Sequence, residues 1–302
     1  MRHKPTPKAL TYAKAILATF FWAITFIWVK IALEVYRPYE IVILRLALAA
    51  GLLFTIMLLT GKWERPAPKD MLRMMFVAFC EPFIYFIGET NGLMYVSSTL
   101  GSLVISTIPL VTALMAWLLL KENISGWLFA GLLVSFAGVV IMAMSSTDLS
   151  GTLKGMMYLG LAVIGGTFYG ITIKPLTHRY NALTIVGWQN LWGFIYFIPV
   201  FLFNDAAHFF SMQHQLKPLL AIVSMCLCGS VGAFMLYTGV IREMGVIKSN
   251  LFTNLIPVYT VVLAYFILGD KLNLRSALGL LITLVGIVVS QIPDIRKLRR
   301  GT

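Results

Sequence analysis

Three charged side chains lie inside long apolar segments of this sequence: Arg45, Glu81 and Glu89. A charge in an apolar medium is costly, and those found there usually pair with one another or mark a path for a polar solute. We therefore expect these three residues to be the first candidates for binding a charged solute or a proton.

The spacing of the acids gives them a common direction. Glu81, Tyr85 and Glu89 recur every four residues, which puts them along one ridge of a helix. Arg45 lies at a depth similar to that of Glu89 in the preceding apolar segment. The sequence thus predicts an Arg45–Glu89 pair, which is either a structural ion pair or a site where Arg45 holds the carboxylate of a solute.

Glu81 differs because no basic residue of the first half lies at its depth. Burial favours the protonated acid, so Glu81 is either a neutral glutamate bonded to a neighbouring helix or the group whose protonation is coupled to activity. Pro82 follows it directly and deprives the Ala78 carbonyl of its helical partner, which predicts a helix opening there. Pro109 and Pro257 are either packing kinks or hinges.

Aromatic and amide side chains in other segments are further candidates for lining a cavity, unless they serve as interfacial anchors or interhelical contacts. Besides Tyr85, these are Trp22, Asn91, Tyr169, Asn190, Tyr237 and Asn254. The histidines fall in predicted loops without metal-ligand spacing, and the three cysteines lie in apolar runs. We therefore expect no metal, no cofactor and no disulfide.

The elements that must position these residues are apolar helices. Of the 302 residues, 59% are hydrophobic and 12% charged, against about 25% charged in a soluble domain. The mean hydropathy is +0.85. Ten segments are each about long enough to cross ~30 Å of hydrocarbon as a helix: 9–29, 39–60, 71–93, 99–120, 124–144, 155–173, 182–203, 218–241, 249–268 and 272–292. The composition predicts an all-α integral membrane protein with ten transmembrane helices.

The basic residues predict the orientation. Most Lys and Arg residues fall on the side of the N-terminus, among them Lys8, Lys69, Arg73, Arg179 and Arg242. By the positive-inside rule this side is the cytoplasm, and an even number of spans returns the C-terminus to it. The first apolar run lacks a cleavage pattern, so we expect it to remain as the first helix. Basic residues confined to loops and chain ends do not favour nucleic acid as a partner.

The sequence also repeats itself. A shift of 148 residues aligns Leu103, Pro109, Gly131 and Gly138 with Leu251, Pro257, Gly279 and Gly286, and Glu122 with Asp270; a shift of 144 residues aligns Lys30 with Lys174 and Arg45 with Gln189. We therefore predict two five-helix repeats, residues 1–147 and 148–302. Five is odd, so the second repeat must be inverted, which is typical of transporters.

These residues resemble the drug/metabolite transporter superfamily, in its EamA-type ten-helix branch. The segment from Trp22 to Lys30 is similar to the first-helix pattern of that family, and Arg45-Leu46 to the start of its second helix. The more specific signature occurs twice, as Pro109…Glu122…Gly131…Gly138 and as Pro257…Asp270…Gly279…Gly286. The resemblance implies a carrier of the inner (cytoplasmic) membrane, usually an exporter of amino acids, nucleobases or similar metabolites, without ATP hydrolysis.

The leading hypothesis is a secondary carrier that works by alternating access, with a small-molecule substrate and the lipid bilayer as its partners. The alternatives are a membrane enzyme acting on a lipid or isoprenoid and a channel-like facilitator. An enzyme would need a convergent cluster of His, Asp, Ser or Cys, which the three intramembrane charges do not supply. We therefore expect no enzyme activity. The sequence leaves open whether the protein is a monomer or a homodimer.

Overall fold

The computed structural model describes residues 8–120, 126–144, 149–270, 273–290 and 292, and this part of the chain is helical without strands. In the first half, the helices are α1 (Lys8–Ala32), α2 (Pro38–Leu59), α3 (Pro68–Ala78), α4 (Tyr85–Gly92), α5 (Ser98–Ile105), α6 (Ile108–Leu120) and α7 (Gly126–Ala143). In the second half, the helices are α8 (Leu149–Arg179), α9 (Ala182–Asn204), α10 (Ala206–Ser211), α11 (Leu216–Ser224), α12 (Phe234–Met244), α13 (Val246–Thr253), α14 (Leu255–Leu263) and α15 (Leu274–Ser290). Wider π-helical turns occupy Phe79–Ile84, Met225–Ala233 and Ala264–Leu268.

Six helical stretches of the described chain are long and apolar enough to cross a membrane. They are Ala9–Ala32, Pro38–Leu59, Pro68–Gly92, Gly151–Arg179, Ala182–Asn204 and Leu216–Met244. Four shorter apolar helices accompany them: Ser98–Thr112, Phe129–Ala143, Leu255–Leu268 and Leu274–Ser290. The expected all-helical membrane architecture is confirmed. The count of ten spans stays a prediction because these four apolar helices are shorter than the other six.

The third predicted span is interrupted near its middle. The π-helical turn Phe79–Ile84 joins α3 to α4, and Glu81 within it has an extended backbone (φ −147°, ψ 116°). The Glu81–Pro82 peptide bond is cis. In the second half a π-helical turn joins α11 to α12 at the corresponding place, Met225–Ala233. Both halves therefore carry irregular backbone at the same point of their third span.

The fourth predicted span of each half is also interrupted. A turn at residues 106–107 separates α5 from α6, and Asn254 separates α13 from α14. Ser106 and Asn254 are 148 residues apart, the repeat distance of the sequence. Pro109 and Pro257 lie in the first turns of α6 and α14, where a proline removes no helical hydrogen bond.

Helices α7 and α15, the last of each half, pack against each other through glycines. A Cβ added at Gly279 would lie 2.7 Å from the carbonyl oxygen of Gly138, and one at Gly286 would lie 2.8 Å from that of Gly131. Position 131 thus faces 286 while 138 faces 279, so the two helices run antiparallel. Ser135 donates to the Thr283 carbonyl (3.1 Å), and the Thr283 hydroxyl, which donates to the Gly279 carbonyl of its own helix (2.8 Å), lies 3.5 Å from the Ser135 carbonyl.

Polar clusters mark the two ends of the bundle. Near the end of α8, Arg179 bonds Asp70 at 2.9 Å, and the Tyr180 hydroxyl also donates to Asp70. At the other end, Glu40 lies 2.6 Å from His208, and Arg37 lies 3.8 Å from Asp205. Burial raises the pKa of Asp205, although the Arg37 charge opposes this shift.

Lys69 and Arg179 thus lie near one end of the bundle and His208 lies near the other, while the orientation of these ends in the membrane stays a prediction. The chain ends 1–7 and 293–302, which contribute to the predicted orientation, lie outside the described residues, as does Glu122 of the repeat signature.

Candidate functional site

A cavity lies between the two halves, and its walls carry the three intramembrane charges. Arg45 reaches it from α2, Glu81 from the π-helical turn of the third span, and Glu89 from α4. The rest of the wall is largely apolar and aromatic, and it includes Trp22, Phe26, Tyr85, Phe86, Tyr169, Phe234 and Tyr237. A largely apolar cavity with a few convergent polar groups is the usual form of a small-molecule site.

Arg45 is held by the opposite half of the protein. Its Nε donates to the Ser230 hydroxyl at 2.6 Å, and its guanidinium carbon lies 4.2 Å from the centre of the Phe86 ring. A Cβ at Gly229 would come within 2.9 Å of Nη2, so this glycine leaves the space that the guanidinium fills. In the described part of the chain, Nη1 and Nη2 make no hydrogen bond. Arg45 is therefore anchored through Nε, and the four N–H groups of its two terminal nitrogens remain available.

The predicted direct pair between Arg45 and Glu89 is wrong in this structure. No ion pair joins them within the described residues. Tyr85 donates its hydroxyl to Glu89 Oε1 at 3.1 Å, while the buried Oε2 has no partner. The two charges still interact electrostatically across the cavity. The two residues lie at similar depth and line one cavity, but depth along a helix does not fix where a side chain points, and Arg45 Nε donates to Ser230 instead.

Only 9% of the Glu81 surface is exposed, and the residue lines the same cavity. Its carboxylate makes no hydrogen bond or ion pair with any described residue. Its backbone carbonyl accepts a hydrogen bond from Gln189 Nε2 at 2.9 Å. The helix interruption that Pro82 predicts is therefore present, and a side chain of the second half satisfies a carbonyl at the interruption.

The contacts of Arg45 and Gln189 are counterparts. Arg45 of α2 reaches Ser230 in the π-helical turn of the second half, while Gln189 of α9 reaches Glu81 in that of the first half. The sequence repeat had aligned Arg45 with Gln189. Gln189 and Ser230 were nevertheless missed as site residues, although the position of Gln189 opposite Arg45 was a signal that could have identified the first of them.

The remaining candidates divide into two groups. Trp22, Tyr169 and Tyr237 line the cavity, and the Trp22 ring lies 4.8 Å from that of Tyr237. Three asparagines are not among the lining residues: Asn91 donates to the Ile87 carbonyl (2.9 Å), Asn190 to the Val186 carbonyl (2.8 Å), and Asn254 lies at the interruption between α13 and α14. Within the described residues, no group of His, Cys, Asp and Glu could hold a metal ion.

The long apolar helices are those of a multi-pass membrane protein, and the largely apolar cavity, with three charged side chains in its wall, has the usual form of a small-molecule site. The family model of the EamA-like transporter family matches the chain twice, at residues 9–144 and 153–291. The protein therefore belongs to the EamA-like transporter family, within the drug/metabolite transporter superfamily, and is a transporter.

Several curated relatives cover nearly the whole chain. The uncharacterized transporter YcxC of Bacillus subtilis is 26% identical over 99% of this chain and 97% of its own length. A probable terminal-alkyne amino-acid exporter of Streptantibioticus cattleyicolor is 24% identical over 84% of each chain. A solved crystal structure of a protein with 14% identity superposes with a TM-score of 0.70, covering 96% of this chain and 99% of the other, and shows the same fold.

Proposed function

We propose that the protein is a secondary carrier that moves a small zwitterionic solute, an amino acid or a close relative, through the central cavity. The observation that carries this proposal is that one cavity is lined by two residues with unused hydrogen-bonding groups: Arg45, whose only hydrogen bond in the described chain is through Nε, and Glu89, whose buried Oε2 has no partner there. A solute with a carboxylate and an ammonium group would bridge them. The name of the Streptantibioticus relative, an amino-acid exporter, agrees with this class.

The chemistry of the two groups favours a bridging solute over an empty cavity. A guanidinium presents parallel donors that match a carboxylate, and such charge-assisted bonds are the strong ones. Glu89 would accept from the ammonium, while Tyr85 holds its other oxygen. The rings of Trp22 and Tyr237 would then contact the apolar part of the solute. These contacts favour an amino acid with an apolar or aromatic side chain.

The architecture supports alternating access. We propose that residues 1–147 and 148–302 form inverted repeats, since the family model matches twice and since α7 and α15 run antiparallel through reciprocal contacts. Inverted repeats with interrupted helices around a midplane site rock against each other in many carriers. The interruption at Pro82 and the turns before Pro109 and Pro257 are the proposed hinges.

Glu81 is the proposed coupling residue. Its carboxylate faces the cavity without a hydrogen-bond partner in the described chain, and its counterpart in the repeat is Gly229. A carboxyl group that is neutral in a closed cavity and ionised in a wet one would favour the two access states differently. We propose that protons drive export in this way.

The proposed location is the inner (cytoplasmic) membrane, with both termini in the cytoplasm. In a variant that lacks Cys80, Cys226 and Cys228, a single cysteine at the exposed Gln213 should react with an impermeant thiol reagent added to intact cells. A cysteine at the exposed Lys69, at the opposite end of the bundle, should be protected. Reaction at Lys69 with protection at Gln213 would reverse the orientation.

Melting of the purified protein tests the solute class. We expect at least one amino acid with an apolar or aromatic side chain to raise the melting temperature in a saturable way, because a ligand that binds only the folded state stabilises it. The best amino acid is then compared with its decarboxylated amine and its deaminated acid. Weak effects of both analogues would support bridging. An equal effect of the amine, or no effect of any amino acid, would reject a zwitterion site.

A further inference from the structure

The cavity is charged at one end. The Arg45 guanidinium lies over the Phe86 ring of α4, and Glu89 follows one turn later in the same helix. Helix α4 packs closely against α8, where a Cβ added at Gly88 would lie 2.5 Å from the backbone nitrogen of Ala162. The charged end of the cavity is therefore level with Ala162 of α8.

The opposite end of the cavity is apolar. Gly170 lies about two turns beyond Ala162 in α8, roughly 12 Å along the helix. Ile241 near the end of α12 and Val246 at the start of α13 line the cavity together with it. An amino acid bound by its carboxylate and ammonium groups at the charged end would therefore direct its side chain toward Gly170.

Position 170 faces the cavity. Gly166, Tyr169 and Gly170 are spaced i, i+3 and i+4, so they share one face of α8, and all three line the cavity. The described atom nearest to a Cβ added at Gly170 is a methyl carbon of Val246 at 3.9 Å, an ordinary contact. At Gly166, by contrast, a Cβ would lie 2.6 Å from Ile108 Cδ1 of α6. A side chain at position 170 would thus fit the backbone and occupy part of the cavity.

We propose that Gly170 sets the length of the amino-acid side chain that the carrier accepts. The inference rests on the proposed function, because it needs a solute that is bound by its charged groups at the other end. Without a side chain at position 170, the apolar end can hold a side chain as long as that of phenylalanine or tryptophan. An apolar pocket rejects a side chain that is too long for it more strongly than one that is short.

The test measures the apparent dissociation constants of L-valine, L-leucine, L-phenylalanine and L-tryptophan from the melting temperature of the purified full-length protein. We expect the native protein to bind the two aromatic amino acids at least as tightly as valine, since they bury more apolar surface. Gly170→Leu should weaken the binding of tryptophan about ten-fold or more and that of valine less than about three-fold. Gly170→Ala, which adds one methyl group, should have a smaller effect in the same direction.

Gly160→Leu is the matched control. Gly160 lies in the same helix, and no described atom lies within 4 Å of a Cβ added there. It shares a face of α8 with the exposed Met157 and Ile164 and does not line the cavity. The order of the four affinities should therefore stay as in the native protein. The melting temperature of this variant without amino acids shows what a leucine in place of glycine does to the helix itself.

A cysteine at position 170 gives a second measurement that needs no large side chain. In a variant that lacks Cys80, Cys226 and Cys228, Gly170→Cys should react with N-ethylmaleimide through the cavity. At a saturating concentration of each amino acid, tryptophan should slow this reaction more than valine does. This measurement decides the question if Gly170→Leu does not fold.

The outcomes separate this inference from the proposed function. An unchanged order of affinities in Gly170→Leu, or equal protection of the cysteine by tryptophan and valine, would reject the role of Gly170 without affecting the proposed function. A native protein that binds valine but neither aromatic amino acid would do the same. If none of the four amino acids binds, the proposed solute class is wrong and the role of Gly170 is rejected with it.

Discussion

Replacing Glu81 with glutamine should abolish proton-driven transport while solute exchange continues. Glutamine has nearly the volume of glutamate and imitates its protonated form, so the cavity keeps its shape but loses the group that takes up and releases the proton. The measurement is solute accumulation in proteoliposomes under an imposed pH gradient, in sodium-free buffer, beside exchange without a gradient. We expect accumulation to fall to the background level and exchange to remain within a few-fold of the native rate.

Glu34→Gln provides the control, because Glu34 is an exposed glutamate at the end of α1. It should leave both accumulation and exchange unchanged. If Glu81→Gln accumulates solute at the native rate with the native pH dependence, Glu81 is a packing residue and the coupling hypothesis fails.

Replacing Arg45 with methionine should have the second large effect, a loss of affinity for the amino acid. A charge-assisted pair with a carboxylate contributes about 1.5–3 kcal/mol, which corresponds to a roughly ten- to hundred-fold weaker binding. The affinity for the decarboxylated amine should change little, since this compound has no carboxylate to bond to Arg45. Titrations of both compounds by melting temperature measure the difference, and Arg37→Met, at the end of the bundle, serves as the control.

The melting temperature distinguishes the role of Arg45 in binding the solute from its role in balancing the charge of Glu89. Arg45→Met leaves Glu89 without the opposite charge across the cavity, so the protein should melt at a lower temperature. Adding Glu89→Gln should restore part of this loss without restoring amino-acid binding. Strictly additive losses of stability would show that the two charges do not interact. Equal losses of affinity for the amino acid and for its decarboxylated amine would show that Arg45 does not bind the carboxylate.

Much of the fold could be predicted from the apolar segments alone. The predicted span 39–60 is observed as Pro38–Leu59, and 182–203 as Ala182–Asn204. The third span begins earlier than predicted, at Pro68, because its polar first turn is stabilised by tertiary contacts. Asp70 there is 3% exposed and bonds Arg179 and Tyr180, which hydropathy along one segment does not register.

The charged residues of the site could be predicted from the sequence, but the contacts that they make could not. The cost of burying a charge singled out Arg45, Glu81 and Glu89, and the structure brings all three to one cavity. The Arg45–Ser230 and Gln189–Glu81 contacts cross between the halves, and their partners lie more than a hundred residues apart in sequence. They depend on how the halves face each other, which neither helical periodicity nor depth determines.

Counterflow in proteoliposomes tests the carrier function most directly. Vesicles are loaded with the unlabelled amino acid that best stabilises the purified protein, and trace labelled amino acid is added outside without any ion gradient. An alternating-access carrier should take up the label transiently above its equilibrium level, with a rate that saturates as the outside concentration rises. Uptake that never exceeds equilibrium and rises linearly with concentration would instead show a channel-like pathway and contradict the proposed function.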